Sequence, residues 1–169
     1  STLIAGDGND TIISGGYYSS INAGAGNNKI TIGNSYYNHH NTIMSSNGND
    51  FISLTGDSSY SNSIVAGGGN NTIYGSSDYN NIVAGNGKNT IITYGANDYI
   101  KVGKGSNNNI DAGSGSNTVI FGKGKNNVVN ISTESSNNTI SYNKSGSLTL
   151  NLNNGINIGS LVKSGSTLI

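Results

Sequence analysis

Single aliphatic residues recur along this chain in a polar background, at a nearly constant interval. Aligned on them, the sequence runs Leu3, Ile12, Ile21, Ile30, Ile43, Ile52, Ile64, Ile73, Ile82, Ile91, Ile100, Ile110, Val119, Val128 and Ile140. The usual step is nine residues, with longer steps at 30→43, 52→64, 100→110 and 128→140. Apolar residues this isolated, between stretches such as "VAGGGNNT" and "VAGNGKNT", predict very short strands with glycine at the positive-φ corners. Insertions longer than one residue fall on alternate steps only. Two nine-residue halves therefore make one coil of about 18 residues, tight on one side and tolerant of loops on the other. The pattern predicts an all-β fold, a right-handed parallel β-solenoid with two short strands per coil. One coil cannot bury its aliphatics alone, but coils stacked roughly 4.8 Å apart can. On this reading the central aliphatic of each strand points inward and its neighbours point out.

The nine-residue rhythm holds over residues 1–142. From 143 to 169 the alternation lengthens, with Leu148, Leu150 and Leu152 followed by Ile156 and Ile158. This second segment is expected to form irregular strands that cap the coil or continue it.

Composition narrows the picture. Hydrophobic residues make up 33% of the chain, there are 26 Gly, and Trp and Pro are absent. A thin core fits these values and a thick globular one does not. The same composition without the spacing would suit a disordered chain. The formal charge balances, and every basic residue is Lys, which argues against nucleic-acid binding. There is no Cys, so disulfides and thiolate metal sites are excluded. No apolar run has the length of a membrane span, and no signal peptide is visible. The chain opens on Ser1 and reads as a piece of a larger polypeptide. Its composition suits a secreted or cell-surface bacterial protein.

"AGDGNDTII" (residues 5–13) and "SSNGNDFIS" (residues 45–53) resemble the nonapeptide G-G-x-G-x-D-x-U-x of the RTX, or hemolysin-type calcium-binding, repeats, where U is a large aliphatic. The glycine of the motif's fourth position recurs at Gly8, Gly26, Gly48, Gly69 and Gly87. The resemblance implies a β-roll whose turns hold Ca²⁺ with the motif Asp and backbone carbonyls. It implies calcium at Asp10 and Asp50, the two Asp that follow an intact G-N.

Elsewhere the motif Asp is Asn. Two residues before each inward aliphatic, one column reads Asp10, Asn28, Asp50, Asn71, Asn89, Asn108 and Asn126. The other reads Ser19, Asn41, Asn62, Asn80, Asp98, Asn117 and Asn138. Stacked carboxylates would repel unless a cation lay between them, whereas Asn is uncharged and both donates and accepts. These Asn are therefore expected to form amide ladders between coils. The coil is then expected to fold without a cofactor, with Ca²⁺ at a few turns. The competing reading has calcium at several turns, held mostly by carbonyls.

Tyr17, Tyr18, Tyr36, Tyr37, Tyr60, Tyr79 and Tyr94 fall on the loop-bearing side. They form a candidate edge for a glycan or a surface-protein partner, or else pack on one another. His39 and His40 have no acidic residue or further His near them in sequence and read as solvated loop. Met44, Val65, Val83 and Ile120 point outward. The carboxylates are dispersed and no Ser/His/Asp grouping can be drawn, so no catalytic residue is expected. Joined tail to head, "SGSTLIAGDGNDTI" would continue the repeat, which raises end-to-end self-association. The function expected is that of a stiff spacer, matrix or fibre-forming element. The alternatives are an adhesin-type ligand-binding module and an accessory calcium-binding module of a larger secreted enzyme or toxin.

Overall fold

A computed structural model describes residues 1–15, 17–33, 39–56, 60–76, 78–132 and 137–153. Strands are numbered in chain order. One sheet stacks β1 (Thr2–Ile4), β3 (Ser20–Asn22), β5 (Thr42–Ser45), β7 (Ser63–Ala66), β9 (Asn81–Ala84), β11 (Tyr99–Val102), β13 (Thr118–Phe121) and β15 (Thr139–Ser141). The other stacks β2 (Thr11–Ser14), β4 (Lys29–Ile32), β6 (Phe51–Leu54), β8 (Thr72–Gly75), β10 (Thr90–Thr93), β12 (Asn109–Asp111), β14 (Asn127–Ile131) and β16 (Leu148–Leu152). Every pairing is parallel, for example Ile64↔Ile82 and Ile73↔Ile91. The chain is a parallel β-solenoid of about 7 turns, with two strands and about 19 residues in each. No helix occurs among the described residues, so none there is long and apolar enough to cross a membrane.

The core lies between the two sheets. Ile21, Ile43, Ile64, Ile82 and Ile100 line one side and Ile30, Ile52, Ile73, Ile91 and Ile110 the other, all fully buried. Two departures from the sequence reading have physical causes. Most of the four-residue strands turn two residues inward rather than one, because side chains two apart share a face of a strand. Ile32, Leu54, Ala66, Ala84, Val102 and Phe121 form this second buried row. In β14 the inward residue is Val129, which pairs with Ile110; Val128 is half-buried on the outer face. One extra residue in the preceding turn shifts the register by one, and such a shift flips every side chain to the opposite face.

β16 pairs with β14 in parallel, Val129↔Leu150 and Ile131↔Leu152, so this sheet runs on through Leu152. Ile156, Ile158 and the rest of the last segment lie outside the described residues.

Candidate functional site

The tight side of the coil is built from one repeated turn. Gly8, Gly26, Gly48, Gly69 and Gly87 all have φ between +118° and +147°. A Cβ at Gly69 would collide with Gly48 O of the preceding coil, so the glycine allows both the turn and the close stacking. Two residues later the chain turns an Asn or Asp side chain inward.

Where it is Asn, that side chain is hydrogen-bonded at both ends. Its Oδ1 accepts the backbone N–H of the equivalent residue one coil earlier: Asp50 N–H to Asn71 at 2.9 Å, Asn71 N–H to Asn89 at 3.1 Å, Asn89 N–H to Asn108 at 2.8 Å. Its Nδ2 donates to carbonyls of its own turn: Asn28 to Gly24 and Gly26, Asn71 to Gly67 and Gly69, Asn89 to Gly85 and Gly87. The ladder is therefore stitched mainly through backbone. Direct amide-to-amide bonds between coils occur as well, as from Asn41 to Asn62 and from Asn89 to Asn108, each at 3.0 Å. On the loop-bearing side Ser19, Asn80, Asp98 and Asn117 donate their N–H to Asn41, Asp98, Asn117 and Asn138 in the same way.

One residue departs from the expected column. Asn126 is exposed with φ +55°, and Asn127 occupies the ladder, accepting from Asn108 N–H at 3.0 Å. Asn126 absorbs the extra residue of this turn in a left-handed conformation, which Asn tolerates better than most residues.

A second ladder was not apparent from the sequence. The exposed residue just before the inward one accepts from the following coil: Asn27 N–H to Asn9 Oδ1, Asn49 N–H to Asn27 and Asn70 N–H to Asn49, each at 2.7 Å. It runs opposite in direction to the buried ladder. The recurring N before N/D in "GND", "GNN", "GND" and "GNN" is the signal that could have found it.

The profile described as the RTX calcium-binding nonapeptide repeat matches in four copies, over residues 2–34, 57–91, 78–108 and 102–128, more than half the chain. The chain belongs to the RTX calcium-binding repeat family. No curated protein and no solved structure matches it.

Calcium is the ion this family implies, and the turns of this RTX chain differ in how they suit it. Where the inward residue is Asn, an N–H₂ donor already fills the space facing the turn carbonyls, and a cation is unwelcome there. Where it is Asp, that place is taken by a carboxylate oxygen. The Oδ2 atoms of Asp10, Asp50 and Asp98 are buried and have no hydrogen-bond partner. A buried carboxylate oxygen without a donor is costly, and a hard cation relieves the cost. Asp10 and Asp50 could hold one, because each follows the glycine turn at Gly8 or Gly48. Among the described residues no three His, Asp or Glu side chains converge, so backbone carbonyls and water would complete such a site.

Asp98 sits in a different turn. Ala96 replaces the glycine, and Asn97 is left-handed at φ +59°. Burial raises the pKa of Asp98 from 3.8 to about 6, partly offset by donors at Asn80 and Thr93, with the Asp78 carboxylate adding to the rise.

Five of the candidate tyrosines lie on the loop-bearing side among the described residues. Tyr17, Tyr18, Tyr60, Tyr79 and Tyr94 are between 53% and 65% exposed, enough to offer ring faces to solvent. Tyr36 and Tyr37 lie outside the described residues. Tyr17 and Tyr18 meet edge to face at 4.8 Å, and Tyr18 stacks on His40 at 5.0 Å. A shallow groove of about 510 Å³ runs between Tyr74 and Tyr94, with Ser53, Thr55 and Ser76 along it.

Proposed function

We propose that this RTX β-roll is a structural module of a secreted or cell-surface bacterial protein, a stiff spacer whose coils are held together mainly by amides rather than by calcium. The observation that carries the reading is the pair of antiparallel-running ladders on the tight side. They supply coil-to-coil bonds at the position where the family's motif places a carboxylate and at the residue just before it. Residual calcium binds at Asp10 and Asp50, where the carboxylate is retained and its second oxygen lacks a donor.

Calorimetric titration with Ca²⁺ tests the assignment. The native chain should bind no more than two ions at these turns, and Asp10→Asn with Asp50→Asn should abolish that binding while leaving the fold intact. Undiminished binding in the double variant would overturn it.

A second reading, capture of a neutral glycan, is favoured by the groove between Tyr74 and Tyr94. Tyrosine faces stack on sugar rings, and the serine and threonine hydroxyls beside them suit sugar hydroxyls. A glycan array compared with Tyr94→Ala tests it. Binding that the substitution does not weaken would exclude this groove.

A further inference from the structure

His39 and His40 are the chain's two histidines, and the fold brings their Nδ1 atoms to 2.7 Å from each other. Successive side chains of an extended strand point to opposite faces. Here they converge because His40 is left-handed, at φ +57°. Backbone bonds to both neighbouring coils hold this geometry: Tyr18 N–H donates to His39 O and His40 N–H to Tyr60 O. Tyr17 and His39 also form a parallel bridge.

The rings are fixed as well. Tyr18 lies flat on His40, with an interplanar angle of 11°. Tyr17 packs edge-on against His39 at 4.7 Å, and Tyr18 against the same ring at 5.9 Å. Two imidazoles in this contact share one proton between their Nδ1 atoms, since two protonated nitrogens would repel and two bare lone pairs would clash. A metal ion can take the place of that proton.

We propose that His39 and His40 form a surface chelate for a borderline transition-metal ion of the Ni²⁺ or Cu²⁺ type, bound through both Nδ1 atoms. Imidazole nitrogens suit this class, and it favours square or octahedral geometry. With metal–nitrogen bonds of about 2.0–2.1 Å, adjacent ligands in that geometry are about 2.9 Å apart, a small opening from the observed contact. The bridging Nδ1 proton leaves to solvent while Nε2 of the same ring takes one up, so both rings bind as neutral Nε2–H imidazoles. Water fills the remaining positions, because no third His, Asp or Glu converges here among the described residues. The tyrosines limit ring rotation, which lowers the ordering cost of chelation. The site is independent of Asp10 and Asp50, which lie on the opposite side of the coil and offer oxygen.

Ni²⁺ titration in saturating Ca²⁺, which occupies oxygen sites, tests the proposal on the intact chain. One Ni²⁺ should bind per chain and quench tyrosine fluorescence. His39→Ala and His40→Ala should each lower affinity about tenfold or more, while Asp10→Asn with Asp50→Asn should leave it unchanged. Zn²⁺-induced ¹⁵N shifts of the two imidazoles in the native chain give a readout free of any folding defect. Both Nδ1 signals should move together. Movement of Nε2 instead, response of one ring alone, or unchanged Ni²⁺ affinity in either variant would overturn the chelate.

Discussion

At Asp98 one atom decides what the turn can tolerate. Asn and Asp have the same shape and share the Oδ1 that accepts the neighbouring coil's N–H. They differ in the second atom, which in Asn89 donates to Gly85 and Gly87 and in Asp98 has no partner. Asn89→Asp should therefore weaken the calcium-free fold by about 1–3 kcal/mol, the usual cost of a buried polar atom left unpaired. Chemical denaturation in EDTA measures it, and an unchanged midpoint would contradict the ladder account. Asp98 gives the matching pH effect. Its folded-state pKa is raised, so the folded chain holds the proton more tightly than the unfolded one. The penalty is full above pH 6 and is relieved as pH falls from about 6 towards 3.8. That window corresponds to about 3 kcal/mol. Asp98→Asn should raise stability at pH 8 and leave it nearly unchanged at pH 4. Equal effects at both pH values would show that Asp98 is not the titrating group.

At the scale of the turn and strand, the sequence carries the fold wherever spacing is constant. The first inward row is large and aliphatic at almost every coil, so it can be read directly. The second row is harder to see because it includes Ser45, Gly75 and Thr93, whose polarity hides their burial. Asn127 was hidden by a single extra residue, since spacing alone cannot tell which of two adjacent Asn turns inward. The histidine contact was hidden because it depends on a left-handed backbone at His40, which the sequence pattern does not reveal. The glycines of the tight turn can be tested directly. Gly69→Ala puts a Cβ against Gly48 O at φ +123° and should lower the melting temperature markedly. Gly6→Ala meets nothing within 4 Å and should change it little. Similar losses for both would mean that close stacking of the turns is not what constrains Gly69.

Over the whole molecule, each coil touches only its neighbours, and stability is the sum of many equivalent interfaces. In a calcium-stapled roll those interfaces depend on an ion. Here the amide ladders, the fully buried Ile rows and the parallel backbone pairing connect successive coils without one. Asp10 and Asp50 stand apart on the tight side, separated by Asn28, so any calcium they hold strengthens single turns rather than the entire stack. The most direct test is far-ultraviolet circular dichroism of the chain in excess EDTA and again in millimolar Ca²⁺. The ladder account predicts a β-sheet spectrum and a cooperative thermal transition in EDTA, with calcium adding only a modest rise in melting temperature. A disordered spectrum in EDTA that becomes β-sheet only on adding calcium would contradict it.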